Sequence, residues 1–117
     1  MPSPADWPPE LDALIAAPEY HKVILENEQV RVLDTRIEPG QTAPVHTHCW
    51  SATHYVISWS DFVRRDASGG VQLDTRIAGL RVNPGQALWS NPLGPHTLEV
   101  VGKEALHIVS FEIKQHP

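Results

Sequence analysis

The stretch PGQTAPVHTH, residues 39–48, is the most informative part of the sequence because it joins a turn to two closely spaced histidines. Pro39 and Gly40 are typical of a tight turn, and His46 and His48 follow with one residue between them. Residues two apart in a β-strand face the same side. We therefore expect both imidazoles to point into one cavity, where they can share a cation.

A second stretch, residues 84–96, repeats this design with a different spacing. Pro84 and Gly85 predict another turn, an apolar segment follows, and the stretch ends at His96. A faint internal echo supports a molecule of two similar halves. The pentapeptide LDTRI occurs at residues 33–37 and again at 73–77, and a Pro-Gly-Gln turn follows each copy. Independent recurrence of good strand and turn sequences explains the echo equally well.

Most of the chain alternates between apolar and polar residues and is interrupted by turn formers. The 117 residues include eleven prolines and seven glycines, which disfavours long helices. Period-two runs rich in β-branched residues predict strands, which we place at residues 20–25, 30–37, 53–59, 62–65, 71–77, 87–90, 97–101 and 106–113. Short strands at even spacing predict an all-β sandwich, barrel or jelly roll.

The N-terminal residues have a different pattern. Leu11, Leu14 and Ile15 have the i, i+3, i+4 spacing of a short amphipathic helix. We expect Asp6 to cap this helix and Pro18 to follow its end. The sequence thus predicts an N-terminal extension over residues 1–19 and one barrel domain over residues 20–117.

With these motifs in place, residues 23–114 resemble the cupin superfamily. Its first motif has the form G-x5-H-x-H-x(3,4)-E, and Gly40, His46 and His48 match it. The span from Gly85 to His96 is similar to the second motif, with Gln86 in place of the usual Asp. The resemblance implies a double-stranded β-helix barrel inside which His46, His48 and His96 meet and hold a divalent metal ion.

The sequence departs from the family at the glutamate of the first motif. That position falls on Ala52 or Thr53, and neither is a good ligand. Three alternatives follow: three imidazoles hold the ion alone, His54 supplies a fourth nitrogen, or the site holds no metal. Neutral ligands leave a divalent ion with its full charge, which favours an anionic chelating substrate. Iron, manganese, nickel, copper and zinc all accept imidazole, so the metal stays open.

Other side chains are candidates for the pocket around this site. We expect Trp50, Trp89 and Phe62 to line it, although ordinary core packing is the alternative for each. His54 and Tyr55 are candidates for proton transfer next to the metal. One of the strand arginines is a candidate clamp for a substrate carboxylate; they are Arg36, Arg64, Arg76 and Arg81.

The remaining chemistry-bearing residues predict structural roles. We expect Cys49 to be a small buried or turn residue, and a thiol near the cavity mouth is the alternative. His107 alternates with Val109, Phe111 and Ile113, which predicts a hydrogen-bonded histidine in the core or at an interface. We expect His21 and His116, near the chain ends, to be solvated.

Composition narrows the function further. Nine Lys and Arg against fourteen Asp and Glu leave a formal charge of -5, which disfavours a nucleic-acid partner. No apolar run approaches the roughly 20 residues of a membrane helix, and the N-terminus lacks a secretory pattern. We therefore expect no membrane association and a cytoplasmic location. A single cysteine excludes an internal disulfide framework.

Together these features predict a metal-binding protein that acts on a small molecule. The glutamate-free triad resembles that of three-histidine cupin dioxygenases, which implies a non-haem metal dioxygenase for a small anionic chelating substrate. The alternatives are a non-catalytic cupin that binds a small ligand and a metal-assisted isomerase or epimerase. We also expect a homodimer, because open strand edges favour pairing.

Overall fold

Two antiparallel sheets face each other in the computed structural model, which describes residues 4–114. In chain order their strands are β1 (His21–Glu26), β2 (Val30–Ile37), β3 (Thr42–His48), β4 (Ala52–Ser58), β5 (Phe62–Asp66), β6 (Val71–Asp74), β7 (Ala87–Ser90), β8 (Leu93–Val100) and β9 (Leu106–Ile113). The five-stranded sheet has the order β1-β2-β9-β4-β7, and the four-stranded sheet has the order β3-β8-β5-β6. This architecture confirms the predicted all-β barrel.

The core lies between the two sheets and takes side chains from both. Ile37 and Val56 come from the five-stranded sheet, Val100 and Phe62 come from the other, and all are buried. Complete burial of one such side chain stabilises the fold by about 1.5–3 kcal/mol. Alternation along each strand therefore decides which residues face the interior.

Both predicted Pro-Gly turns are present and have a backbone that requires glycine. Gly40 has φ 82° and Gly85 has φ 88°, a left-handed conformation that other residues adopt at a cost. The Gly40 N–H donates to the carbonyl of Val100, at 2.9 Å, and the Gly85 N–H donates to that of Val56, at 2.8 Å. These bonds fix the starts of β3 and β7 against the barrel.

The predicted N-terminal helix exists but is capped by a different residue. A 3-10 turn, Pro9–Leu11, leads into α1 (Ala13–Ala16), which ends before Pro18 as expected. The side chain of Asp12, rather than Asp6, accepts a hydrogen bond from the N–H of Leu14 at 3.1 Å. The cap belongs to Asp12 because it directly precedes the first helical residue, whereas Asp6 ends an earlier 3-10 turn, Pro4–Asp6.

Two predicted strands differ from the observed ones by more than one residue at an end. The strand expected at 71–77 stops at Asp74, whose carboxylate accepts from the N–H of Arg76 at 3.0 Å and caps the single turn α2 (Thr75–Ala78). The strand expected at 97–101 begins earlier, at Leu93. His96 therefore lies inside β8, directly opposite His46 on β3. No helix in the described part of the chain is both long and apolar enough to cross a membrane.

Candidate metal centre

Four imidazole rings meet inside the barrel. The ring of His46 lies 5.0 Å from that of His48 and 4.3 Å from that of His96, measured between centroids. The ring of His21, the first residue of β1, lies 4.9 Å from His46 and 5.3 Å from His48. Strand β3 thus places His46 and His48 on one side, as predicted, and His21 and His96 each contact both.

The position of His21 corrects the prediction that this residue is solvated. Only 5% of it is exposed, because β1 pairs with β2 and sets His21 opposite Thr35, whose side chain faces the interior. One ligand atom each from His21, His46 and His48 lie within 4.8 Å of one another. The tightest triad of ligand atoms in the described residues therefore contains His21, while His96 adjoins it.

Each of the four rings is held through its Nδ1 atom. The Nδ1–H of His21 donates to the carbonyl of Ala17 at 3.0 Å, and that of His48 donates to the Glu112 carboxylate at 3.1 Å. Two further backbone carbonyls, those of Pro44 and Gly94, accept at 2.7 Å from the Nδ1–H of His46 and His96 respectively. The rings are thus oriented by partners outside the cluster.

These partners determine the tautomer of all four rings. A carbonyl or carboxylate oxygen only accepts, so each Nδ1 must carry the hydrogen. In a neutral ring the Nε2 atom then has a free lone pair, which is the state of a metal-ligating histidine whose other nitrogen is fixed by an oxygen. The donor set fits a divalent transition metal, for which neutral imidazole is a preferred ligand.

Burial keeps these rings neutral. It lowers the pKa of His21 and of His46 from 6.5 to about 4. Burial also lowers the pKa of His96, to about 3, with a further contribution from His48. The pKa of His48 lies well below its usual value for the same reason, with His46 adding to the effect. The four imidazoles are therefore neutral at pH 7, with Nε2 unprotonated, and need lose no proton to bind an ion.

A buried carboxylate, Glu112 on β9, is part of this centre although no motif indicated it. It is fully buried, and its two oxygens have separate tasks. Oε2 accepts from the Nδ1–H of His48, and Oε1 accepts from the Nε–H of Arg31 at 2.6 Å. Burial raises the pKa of Glu112, while the Arg31 guanidinium opposes that shift.

Arg31 also joins the N-terminal segment to the centre. Its two terminal nitrogens donate to the carboxylate of Asp12 at 3.1 and 3.0 Å. Burial disfavours the charged forms of both groups, yet the paired charges lower the pKa of Asp12 and raise that of Arg31. One continuous chain of polar contacts therefore runs from the cap of α1 through Arg31 and Glu112 to His48.

A cavity of about 390 Å³ opens next to the histidines. His21, His46 and His48 line it, whereas His96, 1% exposed, is not among its lining residues. Most of the wall is apolar, contributed by Ile37, Trp59, Phe62, Leu73, Leu80, Leu88, Trp89, Leu93, Leu98, Leu106 and Ile108. A small apolar molecule with a few polar groups fits such a space.

The structure brings some of the predicted pocket residues to this cavity and not others. Phe62 and Trp89 line it. Trp50 instead packs against the guanidinium of Arg31 and the ammonium of Lys114, at 5.0 and 5.7 Å from its ring centroid. Its side chain therefore shields the Arg31 contacts rather than the cavity.

His54 and Tyr55 separate because neighbouring strand residues face opposite sides. His54 lines the cavity, and its Nδ1 and Nε2 lie 2.7 Å from the hydroxyls of Ser110 and Ser90. Both nitrogens are engaged, so in this arrangement His54 offers no free lone pair to an ion. Tyr55 is 45% exposed and does not line the cavity.

The last strand contradicts the core location for His107, one of the two that its alternation predicted, and leaves the interface location open. Leu106, Ile108 and Ser110 line the cavity, so His107 faces outward, where its Nε2 lies 2.9 Å from the carboxylate of Asp34. Cys49 is partly buried, and His116 lies outside the described residues. The signal that sequence reasoning missed is Glu112 itself, which continues the inward series of this strand as its one charged member.

Solved structures with a similar fold are known, whereas no similar sequence family is found. No family model matches the chain, and no curated protein matches it. A cupin domain from Bordetella pertussis is similar with a TM-score of 0.64 and 19% identity, over 81% of this chain and 92% of that one.

Two further solved structures are similar at lower identity. An RmlC-like cupin protein from Methanocaldococcus jannaschii has a TM-score of 0.56 and 9% identity, over 80% of this chain and 77% of that one. The polyketide cyclase RemF from Streptomyces resistomycificus has a TM-score of 0.53 and 16% identity, over 83% of this chain and 66% of that one. The Methanocaldococcus jannaschii protein has a double-stranded β-helix fold, and the likeness shows that fold for this chain.

Proposed function

We propose that this chain, which has the cupin fold, binds a divalent transition metal through the Nε2 atoms of His21, His46 and His48, with His96 as a further donor. The observation that carries the proposal is the common anchoring of four buried rings. Acceptor-only partners hold each Nδ1–H, which leaves each Nε2 unprotonated. One ligand atom each from His21, His46 and His48 lie within 4.8 Å of one another, and the ring of His96 lies 4.3 Å from that of His46. A bound ion supplies Lewis-acid chemistry and a template for a ligand.

Metal analysis of protein purified without an affinity tag tests this proposal. We expect about one equivalent of a divalent metal per chain in the wild type and a loss of most of it in His46→Ala, whose ring contacts the other three. His107→Ala is the matched control, because that histidine is bonded to Asp34 on the outer face. Metal-free wild-type protein, or His46→Ala with full metal content, would contradict the proposal.

We further propose that the centre serves a three-histidine non-haem dioxygenase reaction on a small anionic chelating substrate. The mostly apolar cavity supports this, because it excludes water and orients a bound molecule next to the histidines. His54, which faces the same cavity between two serine hydroxyls, is placed to move a proton. Oxygen uptake with a panel of diketones, thiols and catechols tests the reaction class.

A non-catalytic cupin that binds a small ligand is the second candidate function, favoured by the large apolar share of the cavity wall. Such a protein gains thermal stability with a ligand but shows no turnover. A metal-assisted isomerase or epimerase is distinguished from both, since it converts its substrate without consuming oxygen.

We also propose a homodimer. Apolar side chains on the outer face of the five-stranded sheet remain exposed, among them Ile57 and Phe111, and the edge strand β1 exposes Ile24 and Leu25. Covering them with a second copy removes apolar surface from water. The lone cysteine, Cys49, is consistent with the cytoplasmic location that we expect.

A further inference from the structure

Arg64 is the charged member of the cavity wall. It lies on β5 two residues after Phe62, and both line the cavity, as strand alternation requires. Among the lining residues in the described part of the chain there is no aspartate and no glutamate. Arg64 is half-buried and therefore brings a positive charge to a mostly apolar wall that offers no carboxylate.

Two properties together distinguish Arg64 from the other arginines. Arg31, Arg36, Arg65 and Arg76 each form a salt bridge with a carboxylate, and Arg81, which donates to Asn83, does not line the cavity. Arg64 lines the cavity, and its Nε–H donates to the neutral amide oxygen of Gln72 at 3.2 Å. A cation withdrawn from water in this way is stabilised by an anion.

Arg64 shares this cavity with the candidate metal centre. The same cavity is lined by His21, His46, His48 and His54. A molecule that occupies the cavity can therefore meet Arg64 with one group and the histidines with another.

We infer that Arg64 is an anion-binding residue of this cavity, which holds the carboxylate of an apolar ligand through its planar fork. The inference deepens the proposed function, because it assigns the ligand class: a small, mainly apolar carboxylate whose acid group lies on Arg64 and not on the metal. Paired N–H donors of a guanidinium match the two oxygens of a carboxylate. A neutral ligand of the same shape leaves the charge uncompensated and binds less tightly.

Calorimetry with 3-phenylpropanoate and its neutral amide tests this inference on the full chain. We expect the carboxylate to bind wild-type protein about 10- to 100-fold more tightly than the amide, which is the range for a charge-assisted pair. Arg64→Met keeps the apolar stem and removes the charge, so the preference should disappear while the affinity for the amide changes less than about twofold. Arg64→Lys should keep part of the preference, and the exposed Arg81→Met should bind like the wild type.

Repeating the titrations after chelator treatment separates this inference from the metal proposal. A preference that survives metal removal but not Arg64→Met supports the Arg64 site, whatever the metal content. A preference that is lost with the metal and retained in Arg64→Met places the anion on the ion, which overturns the inference and leaves the metal proposal standing. Equal binding of acid and amide, or no binding of either, also overturns it.

Discussion

Replacing Glu112 with glutamine tests whether this carboxylate fixes the tautomer of His48 and thereby its ability to bind a metal ion. In the wild type both carboxylate oxygens accept, one from Arg31 and one from the Nδ1–H of His48. Glutamine keeps one oxygen and replaces the other with an NH₂ group. Because the contact with the charged guanidinium is the shorter one, at 2.6 Å, we expect the amide oxygen to stay with Arg31 and the NH₂ group to face His48.

In that arrangement the NH₂ group of the glutamine and the Nδ1–H of His48 are both donors, so we expect the ring of His48 to change tautomer. Nδ1 then accepts from the glutamine and Nε2 carries the hydrogen, so Nε2 has no lone pair for a metal ion. Returning the hydrogen to Nδ1, as metal binding requires, breaks the buried hydrogen bond to the glutamine at a cost of about 1–3 kcal/mol. We therefore expect Glu112→Gln to weaken metal binding by about 10- to 100-fold, the usual effect of removing the partner of a ligating histidine.

Three measurements check this reasoning. Competition with a chelating dye gives the metal affinity, nitrogen-15 NMR of the imidazoles reports the tautomer of His48, and urea unfolding gives stability. Glu99→Gln is the control, because Glu99 pairs with Arg65 at 2.8 Å with both side chains 35% exposed, a pair worth less than about 1 kcal/mol. Unchanged metal affinity in Glu112→Gln, with His48 still protonated on Nδ1, would refute the argument.

Three further predictions concern the histidines and the outer face. His21→Ala should lower metal affinity at least about tenfold in the same competition assay, and an affinity equal to that of the wild type would remove His21 from the ligand set. The metal-free protein should lose stability as pH falls from 7 to 5, because His21 and His46 have folded-state pKa values of about 4 against 6.5, so the unfolded chain binds more protons in that window. The loss is on the order of 2 kcal/mol per histidine at pH 5, measured by urea unfolding, and flat stability across this range contradicts it. Light scattering at tens of micromolar should give twice the chain mass of 13.0 kDa, and Phe111→Glu should shift the protein to monomer; a monomeric wild type would disprove the dimer.

Local pattern was sufficient for much of the fold. The strands Val30–Ile37, Ala87–Ser90 and Leu106–Ile113 have the predicted bounds, because alternation and turn formers at their ends both point to the same structure. The two copies of LDTRI show that local sequence does not always determine secondary structure. The first copy lies inside β2, whereas the second is divided between β6 and α2, where Asp74 caps a helical turn. The two copies have identical local propensities, so their different neighbours in the barrel determine which secondary structure each adopts.

The candidate site was only partly predictable for a related reason. His46 and His48 are two residues apart, so strand geometry alone places them together. Glu112 is 64 positions from His48, and His21 meets the cluster only through the pairing of β1 with β2. Such contacts depend on register between distant strands, and a change of one residue in parity reverses every side chain. For this reason the pattern of β9 alone left His107 between the core and an interface and did not indicate Glu112 as an interior residue.

The charge of Glu112 partly replaces that of the glutamate that the first motif lacks. A glutamate among the ligands would neutralise part of the ion's charge and also occupy a coordination position. With an ion held by the histidines, Glu112 would do only the first, since it lies behind His48 and is joined to it through a hydrogen bond. With Asp12 and Arg31 it forms a group of net charge -1 beside neutral imidazoles, which stabilises a cation from outside its ligand shell. In the proposed centre the open positions would remain for an anionic ligand, and Arg64, which has no salt bridge within the described residues, would attract the same class of molecule to the cavity.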